Sequence, residues 1–188
     1  MELKPKRVLL MYISQVSGHR QSAAAIQRSL KALDPDCEVS SINGFSYIYP
    51  IMEKIINTAY MGVIKRVPGI WEYLYDNPKI IKASENLKQK IHKSSHKKLK
   101  ALIDEFKPDV VICTQAFPCG MVADYKVTYD LGFKVIGVLT DFAPHLYWLH
   151  EGVDSYIVPS EEAKERYVKE GVPSKKIKAL GIPIRMKF

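Results

Sequence analysis

The chain has 188 residues and a mass of 21.4 kDa, which fits one domain with its own hydrophobic core. Hydrophobic residues make up 47% and charged residues 26%, a composition that excludes a disordered chain. The longest apolar run, Val8–Ile13, is too short to span a membrane, and it predicts no signal peptide because no cleavage site follows it. Without an export signal, the three cysteines are predicted to be reduced thiols of a cytosolic protein.

The positive charge is concentrated in one part of the chain. The net charge is +8, and residues 53–107 alone carry +6. The segment 45–75 overlaps this region and holds 7 of the 19 aromatic residues. A basic surface of this kind predicts an anionic partner, which is nucleic acid, a phosphate-bearing ligand or an anionic membrane.

Strands and helices alternate along most of the chain. Short apolar runs predict strands, and apolar residues three to four positions apart predict helices. The predicted strands are Val8–Ile13, Glu38–Ile42, Val110–Cys113, Lys134–Leu139, Ser155–Val158 and Ile177–Leu180. Helices are predicted at 21–33, after the strand that ends at Cys113 to about Leu131 with Gly132 as the stop, and from Ser160 to Gly171. This order indicates an α/β fold with a Rossmann-like parallel sheet flanked by helices.

The middle of the chain, residues 45–107, departs from this alternation and is predicted to be a helical insertion in the second crossover. In one interpretation its apolar residues, such as Ile48, Met52, Ile55 and Ala59, pack on the core while its lysines form a solvated face. In the other, the insertion docks on an anionic membrane surface. The residues assigned to that docking are Pro50, Tyr60, Lys65, Arg66, Trp71, Lys97, Lys98 and Lys100.

The loop after the first predicted strand, Ser14–His19, is placed for function, because ligands of parallel sheets bind beyond the carboxyl ends of the strands. Helix N-terminal amides at such a loop can hold an anion. Gly18 is its only glycine, so the loop does not match the G-x-G-x-x-G pattern of nicotinamide dinucleotide sites. His19 is either a residue of the helix start or a functional side chain.

Five motifs follow one another in a distinctive order. They are Ser17-Gly18-His19-Arg20-x-Ser22-Ala23, Thr114-Gln115-x-Phe117-Pro118, Thr140-Asp141-Phe142-x-x-His145-x-x-Trp148, Val153-Asp154-x-Tyr156-x-Val158-Pro159-Ser160-Glu161-Glu162-Ala163 and Gly181-Ile182-Pro183-Ile184-Arg185. Together they resemble the N-terminal domain of the monogalactosyldiacylglycerol synthase and processive diacylglycerol glucosyltransferase family. The resemblance covers nearly the whole chain. Two departures are the single glycine of the first loop and Gln115, where the family often has histidine.

The resemblance implies the N-terminal half of a GT-B glycosyltransferase, in which two Rossmann-like domains face each other across a cleft. In that family the N-terminal half binds the diacylglycerol acceptor and docks on anionic membrane, and the C-terminal half binds the UDP-sugar donor. We therefore expect residues 1–188 to be one acceptor-binding domain that lacks the donor domain and does not turn over UDP-sugar alone. It would be half of a split enzyme with a donor-domain partner, a fragment or a degenerate relative.

The resemblance also assigns roles to single residues. His19 is expected to act as the base or to orient the acceptor, and Asp141 to orient His19 or to act as the base itself. Without the resemblance, Asp141 is equally a helix or turn cap, and the segment with His145 and Trp148 a packed loop. The residues assigned to the acceptor are Gly18, Phe117, Pro118, His145 and Trp148, the last at the membrane interface level.

No metal and no cofactor are expected in this domain. None of the five histidines pairs with a cysteine at a metal-ligand spacing, and Cys113 and Cys119 are too far apart for a C-x₂-C pair.

Two other functions fit the charge. One is a catalytically inert module that binds anionic lipid at a membrane surface. The other is nucleic-acid binding, which fits less well because residues 53–107 have many lysines, one arginine and no recognisable RNA or DNA motif. The expected location is the cytoplasm, peripheral to the cytoplasmic membrane.

Overall fold

The computed structural model describes residues 6–14, 17–50, 94–141 and 145–185. In chain order the strands are β1 Arg7–Tyr12, β2 Glu38–Asn43, β3 Val110–Cys113, β4 Lys134–Val138, β5 Ser155–Val158 and β6 Ile177–Ala179. The helices are α1 Gly18–Leu33, α2 Gly44–Ile48, α3 at 94–106, α4 Ala116–Thr128 and α5 Glu161–Lys169. Single 3₁₀ turns occur at Leu146–Trp148 and Ser174–Lys176. The predicted strands are confirmed to within two residues.

All six strands form one parallel sheet in the order β2-β1-β3-β4-β5-β6. β1 therefore pairs with β2 on one side and with β3 on the other, and Met11 aligns with Ile42 and Cys113. The chain moves outward in opposite directions from these central strands. This is the topological switch point at which open parallel sheets leave a crevice beyond the carboxyl ends of the strands.

Both faces of the sheet are covered, as the uninterrupted apolar strands predicted. Successive side chains of a strand point to opposite faces. Leu9 and Met11 belong to a large cluster with residues of α3, α4 and α5, while Val8 and Leu10 face Ile26 and Leu30 of α1. The central strands are thus buried on two sides, which fixes their carboxyl ends firmly.

The end of α4 corrects one prediction. The helix ends at Thr128, and the reversal is made by Asp130 in the left-handed region with φ of 50°, not by Gly132. The Leu131 amide donates to the Lys126 carbonyl over 3.0 Å, the six-to-one bond of a Schellman ending. Aspartate tolerates this conformation because its short polar side chain can bond locally. At α5, by contrast, Gly171 with φ of 91° makes the predicted reversal.

The described parts of the predicted insertion are helical. α2 follows β2 directly, and Ile48 at its end is buried in the core, as the packing interpretation expected. Met52, Ile55 and Ala59 lie outside the described residues. The flanks of that stretch contact each other: the Tyr49 hydroxyl lies 2.6 Å from Ser94 Oγ, and Lys98 Nζ donates to the Ile48 carbonyl over 2.7 Å.

No helix among the described residues is long and apolar enough to cross a membrane. The three cysteines are unbridged and buried, in agreement with the prediction of reduced thiols. Burial raises the pKa of the Cys113 thiol well above its usual value, and the neighbouring Cys119 thiol adds to this.

Gly152 is required by a close backbone approach. A Cβ at this position would lie 2.9 Å from the carbonyl carbon of Ala123 and closer still to its oxygen. We expect Gly152→Ala to lower the free energy of unfolding by about 1–3 kcal/mol, measured by urea titration, because backbone must move. Gly132→Ala is the control, since a Cβ there meets nothing within 4 Å. Equal midpoints for the two variants would contradict this account.

The Asp154 carboxylate connects the turn before β5 to β4 through hydrogen bonds. Its Oδ2 accepts from Lys126 Nζ over 2.5 Å and from the Val135 amide over 2.8 Å, and Oδ1 accepts from Lys134 Nζ over 3.2 Å. Partial burial raises the pKa of this carboxyl, but the bonds from Lys126, Val135 and Lys134 outweigh it and hold the pKa below its usual value.

A carboxyl with a depressed pKa stabilises the folded state above its unfolded pKa, about 3.9, and this contribution is lost as the pH falls through the folded value. Asp154→Asn should therefore cost about 1–3 kcal/mol in the free energy of unfolding at pH 7. The difference from the unmodified chain should stay constant down to about pH 5 and shrink below about pH 4. Urea titrations across this pH range measure it, and a difference independent of pH would contradict the assignment.

Candidate functional site

The carboxyl edge of the sheet brings together four of the five motifs. The first loop follows β1, the Thr114 motif follows β3, the Thr140 motif follows β4, and Gly181–Arg185 follows β6. Arg185 Nη2 donates to Gln21 Oε1 over 2.7 Å, so the last motif reaches the first turn of α1. Residues separated by more than 160 positions thus meet at the switch point.

His19 lies at the centre of this edge, in the first turn of α1. Its ring Nδ1 is 2.5 Å from the hydroxyl oxygen of Thr140. The Thr140 hydroxyl also lies 3.3 Å from the main-chain carbonyl of Thr114, and the Thr114 hydroxyl donates to the His19 carbonyl over 2.9 Å. Three chain segments that follow β1, β3 and β4 are therefore linked through two threonine side chains.

The start of α1 leaves two amides directed toward this edge. Ser17 is the N-cap, and its hydroxyl oxygen accepts from the Arg20 amide over 3.2 Å. Within the described residues, the amides of Gly18 and His19 donate to no acceptor. A Cβ added at Gly18 would meet nothing within 4 Å, so this position faces open space. The helix start can therefore accept a polar or anionic group.

The start of α4 is arranged differently. Gln115 is its N-cap, and the Gln115 side chain accepts from the Phe117 amide over 2.6 Å. Pro118 in the same turn has no amide hydrogen. Gln115, one of the two departures from the pattern described above, thus caps the helix. Among the described residues, α1 thus leaves two amides without an acceptor, and α4 leaves one, that of Ala116.

Asp141 does not contact His19 in the structure; the residue before it, Thr140, takes that position. Asp141 is exposed, and its charge acts on Tyr167. Burial first, and then neighbouring groups including Asp141, raise the pKa of Tyr167 well above its ordinary value. The Tyr167 hydroxyl donates to the His145 carbonyl over 3.1 Å, so the main chain of His145 is attached to α5.

Trp148 is placed in the core, with 0% of its surface exposed, and not at an interface level. Its carbonyl accepts from the Tyr156 hydroxyl over 3.0 Å, and its ring centroid is 6.5 Å from that of His145. Burial raises the pKa of Tyr156, so this phenol remains a neutral donor. The expectation that Trp148 reaches a membrane is therefore wrong, and the packed-loop interpretation describes it. Trp148 is the last residue of the 3₁₀ turn Leu146–Trp148, and its indole packs in the core.

A row of three aromatic rings leads away from the site along α2. The Phe117 and Phe45 ring centroids are 5.3 Å apart in an edge-to-face arrangement, and those of Phe45 and Tyr49 are 5.7 Å apart. All three rings are half-buried. Pro118, behind Phe117, is buried and would lie 3.2 Å from a Cβ at Gly44. We call Phe45, Tyr49 and Phe117 the aromatic row.

The family model of monogalactosyldiacylglycerol (MGDG) synthase matches residues 19–184, from the site histidine to the last motif. The chain belongs to the MGDG synthase family. The processive diacylglycerol beta-glucosyltransferase of Bacillus cereus (strain B4264) is 30% identical over 200 residues, which cover 99% of this chain and 47% of that protein. The Bacillus subtilis (strain 168) protein of the same name is 29% identical over 184 residues, covering 97% and 47%.

Solved structures support the same fold. The lipopolysaccharide outer core galactosyltransferase WaaB superposes with a TM-score of 0.58 at 11% identity, over 93% of this chain and 45% of that one. Acinetobacter baumannii MurG gives a TM-score of 0.56 at 12% identity, over 97% and 47%. The MGDG synthase family chain therefore has the Rossmann-like fold of one half of a GT-B glycosyltransferase. It spans about half the length of the curated relatives it matches.

The docking residues expected in this family member are only partly described. Tyr60, Lys65, Arg66 and Trp71 lie outside the described residues, as does Phe142 of the third motif. Lys97 is exposed on α3. Lys98 is also exposed, but its ammonium donates to the carbonyls of Tyr47 and Ile48, the position where a cation stabilises a helix C-terminus. Lys100 pairs with Asp104.

Sequence reasoning missed the roles of Thr114, Thr140 and Phe45. Both threonines stood in quoted motifs, and the signal available was that each directly follows a predicted strand of a parallel sheet.

Groups of three or more metal-binding side chains are absent from the described part of the chain.

The burial of Trp148 can be tested in a variant that leaves it as the only tryptophan, Trp71→Phe. We expect its fluorescence to be blue-shifted in the folded chain and resistant to quenching by acrylamide, because no part of its surface meets solvent. Unfolding in urea should make it quenchable, which serves as the internal control. Strong quenching in the folded chain would show that Trp148 is accessible.

Proposed function

We propose that this domain binds a diacylglycerol acceptor at the edge around His19 and docks on a membrane, as the N-terminal half of a glycosyltransferase that transfers a hexose from UDP-sugar. The observation that carries the proposal is the family match, which begins at His19 and spans the site to Ile184. The curated relatives named above act, by their names, on diacylglycerol. The donor would bind a second domain, and this domain would supply neither metal nor cofactor.

The chemistry needs a base at the acceptor hydroxyl. In the proposed step, the hydroxyl proton goes to the His19 ring while the hydroxyl oxygen bonds to the anomeric carbon and the UDP leaving group departs with the electron pair of the bond that breaks. His19 suits this role because the ordinary pKa of histidine, about 6.5, lies near neutral pH. Asp141, which is exposed and directly follows Thr140, remains the second candidate for the base.

The aromatic row supports the lipid nature of the acceptor. Phe117 begins at the site edge, and Phe45 and Tyr49 continue toward the basic insertion. Half-buried rings give an acyl chain an apolar surface of contact. The glycerol end would then lie near the Gly18 and His19 amides and His145, and the chains would follow the row toward the membrane.

Membrane docking would use the basic insertion, of which Lys97 is the described cation best placed for a headgroup. It is exposed on α3, three residues after Ser94, whose Oγ lies 2.6 Å from the Tyr49 hydroxyl at the end of the aromatic row. The protein would then be cytoplasmic and peripheral to the cytoplasmic membrane. The second candidate function, an inert module for anionic lipid, rests on the same charge and would not require a diacylglycerol site.

A photoactivatable diacylglycerol analogue tests acceptor binding. We expect it to label the peptides that contain Phe45 and Phe117, and unlabelled diacylglycerol to compete. Phe117→Ala should reduce the labelling several-fold, because it removes one ring of the aromatic row. Val127→Ala, an exposed apolar truncation elsewhere on α4, is the matched control. Labelling that diacylglycerol does not compete for would contradict the acceptor site and favour the inert module.

Sedimentation with vesicles tests the docking. Partitioning onto phosphatidylcholine vesicles that contain phosphatidylglycerol should exceed that onto neutral vesicles and fall with salt. Lys97→Ala should lower it about fivefold, since one basic residue near such a surface is worth about 1 kcal/mol. Lys169→Ala, an exposed lysine at the end of α5, should change it little. Binding indifferent to anionic lipid and salt would sink the docking proposal.

A further inference from the structure

The contact with the His19 ring is made by a hydroxyl and not by a carboxylate. Thr140 Oγ1 lies 2.5 Å from Nδ1 of His19, and both residues are partly buried. Neutral imidazole carries its one proton on either nitrogen, and the group that contacts one nitrogen decides which. An ionised carboxylate can only accept, so the nitrogen that it contacts must carry the proton. A hydroxyl can donate or accept, so its contact alone does not decide which nitrogen is protonated. The second contact of Thr140 therefore has to be considered.

That second contact is a main-chain carbonyl. Thr140 Oγ1 is 3.3 Å from the carbonyl oxygen of Thr114, which can only accept. Thr114 is fully buried and lies between β3, which ends at Cys113, and α4. The first backbone hydrogen bond of α4 runs from the Cys119 amide to the Gln115 carbonyl, so the helix does not use the Thr114 carbonyl. Among the described residues the Thr140 hydroxyl is the donor that reaches this carbonyl. A buried carbonyl without a donor would be costly.

A hydroxyl has one hydrogen. If it is donated to the Thr114 carbonyl, the Thr140 oxygen must accept the bond from His19, so the ring proton lies on Nδ1. We propose that Thr140 and Thr114 are positioning residues that hold His19 in the Nδ1–H form and leave the lone pair on Nε2. One further assignment rests on the proposed function: Nε2 is the atom that takes the proton of the acceptor hydroxyl.

The Thr114 side chain secures the other end of His19. Its hydroxyl donates to the His19 main-chain carbonyl over 2.9 Å, so ring and backbone are both attached to the segments after β3 and β4. Asp141 is exposed and forms no hydrogen bond or ion pair with His19 among the described residues, where Thr140 is the partner of the ring. The tautomer is thus set without a negative charge against the ring.

Two-bond ¹H–¹⁵N correlation spectra of the ¹⁵N-labelled 188-residue chain read the tautomer directly. The spectra are recorded at about pH 8, above the usual histidine pKa of about 6.5. His19→Gln identifies the His19 signals by their loss. We expect Nδ1 to carry the proton and Nε2 to give the shift of an unprotonated ring nitrogen. Thr140→Ser should keep this pattern, and Thr140→Val should move a large fraction of the signal toward the Nε2–H form.

Asp141→Asn discriminates the two candidate orienting residues. It should leave the His19 pattern as in the unmodified chain, and a change as large as that of Thr140→Val would assign the role to Asp141 and overturn the proposal. The proposal also fails if the unmodified chain has the proton on Nε2, or if Thr140→Val leaves the pattern unchanged. Thr140→Ala, which adds no branch, is the second variant should the valine disturb folding.

This measurement is independent of the acceptor and of any donor. A confirmed Nδ1–H tautomer together with failed diacylglycerol labelling would reject the proposed function and keep the role of the threonines. The reverse outcome, competed labelling with the proton on Nε2, would keep the acceptor site and reject the threonines as positioning residues.

Discussion

The pairing of β1 with β3 is the constraint on which the rest of the molecule depends. The two strands are separated by about a hundred residues, yet Val8 to Met11 align with Val110 to Cys113 in parallel. Parallel register places both carboxyl ends at one edge, and a core on each face prevents either strand from shifting by a residue. The first turn of α1 and the segment after β3 must then meet. The bond between the Thr114 hydroxyl and the His19 carbonyl is the result of that register.

The same constraint determines where the insertion can act. It starts from β2, whose carboxyl end lies beside that of β1, so α2 begins at the site edge with no intervening loop. Phe45 on α2 therefore packs against Phe117 on α4, across the crevice side of β1. Tyr49 and Ser94 join the two flanks of residues 51–93. A ligand that occupies the site edge therefore lies next to α2, the segment from which the insertion begins.

Most of the fold could be predicted from the sequence, but only part of the site could. The central strands β1 and β3 are buried on both faces, so each appears as an apolar run with clear ends. The loops that follow them were located correctly for the same reason, His19 and Thr114 among them. What failed depended on the local conformation of single residues, either a backbone angle or the direction of a side chain. Asp130 and not Gly132 reverses the chain after α4, Trp148 points into the core, and Thr140 takes the place expected for Asp141 beside His19. Adjacent residues after a strand point to opposite sides, and no sequence pattern says which of the two faces the site.

The contacts of the lysines change how the positive charge of residues 53–107 is interpreted. Residues 53–107 carry a net +6, which taken alone suggests six cations for an anionic surface. In the described part of that range, Lys98 is engaged with the last carbonyls of α2, and Lys100 is paired with Asp104. Exposed pairs of this kind contribute little to stability, but they lower the field that a headgroup would meet. Lys97 and Lys107, both exposed, are the described lysines of that range whose charges are not engaged in this way. A net charge counted along the sequence therefore does not say which of its cations can meet a headgroup.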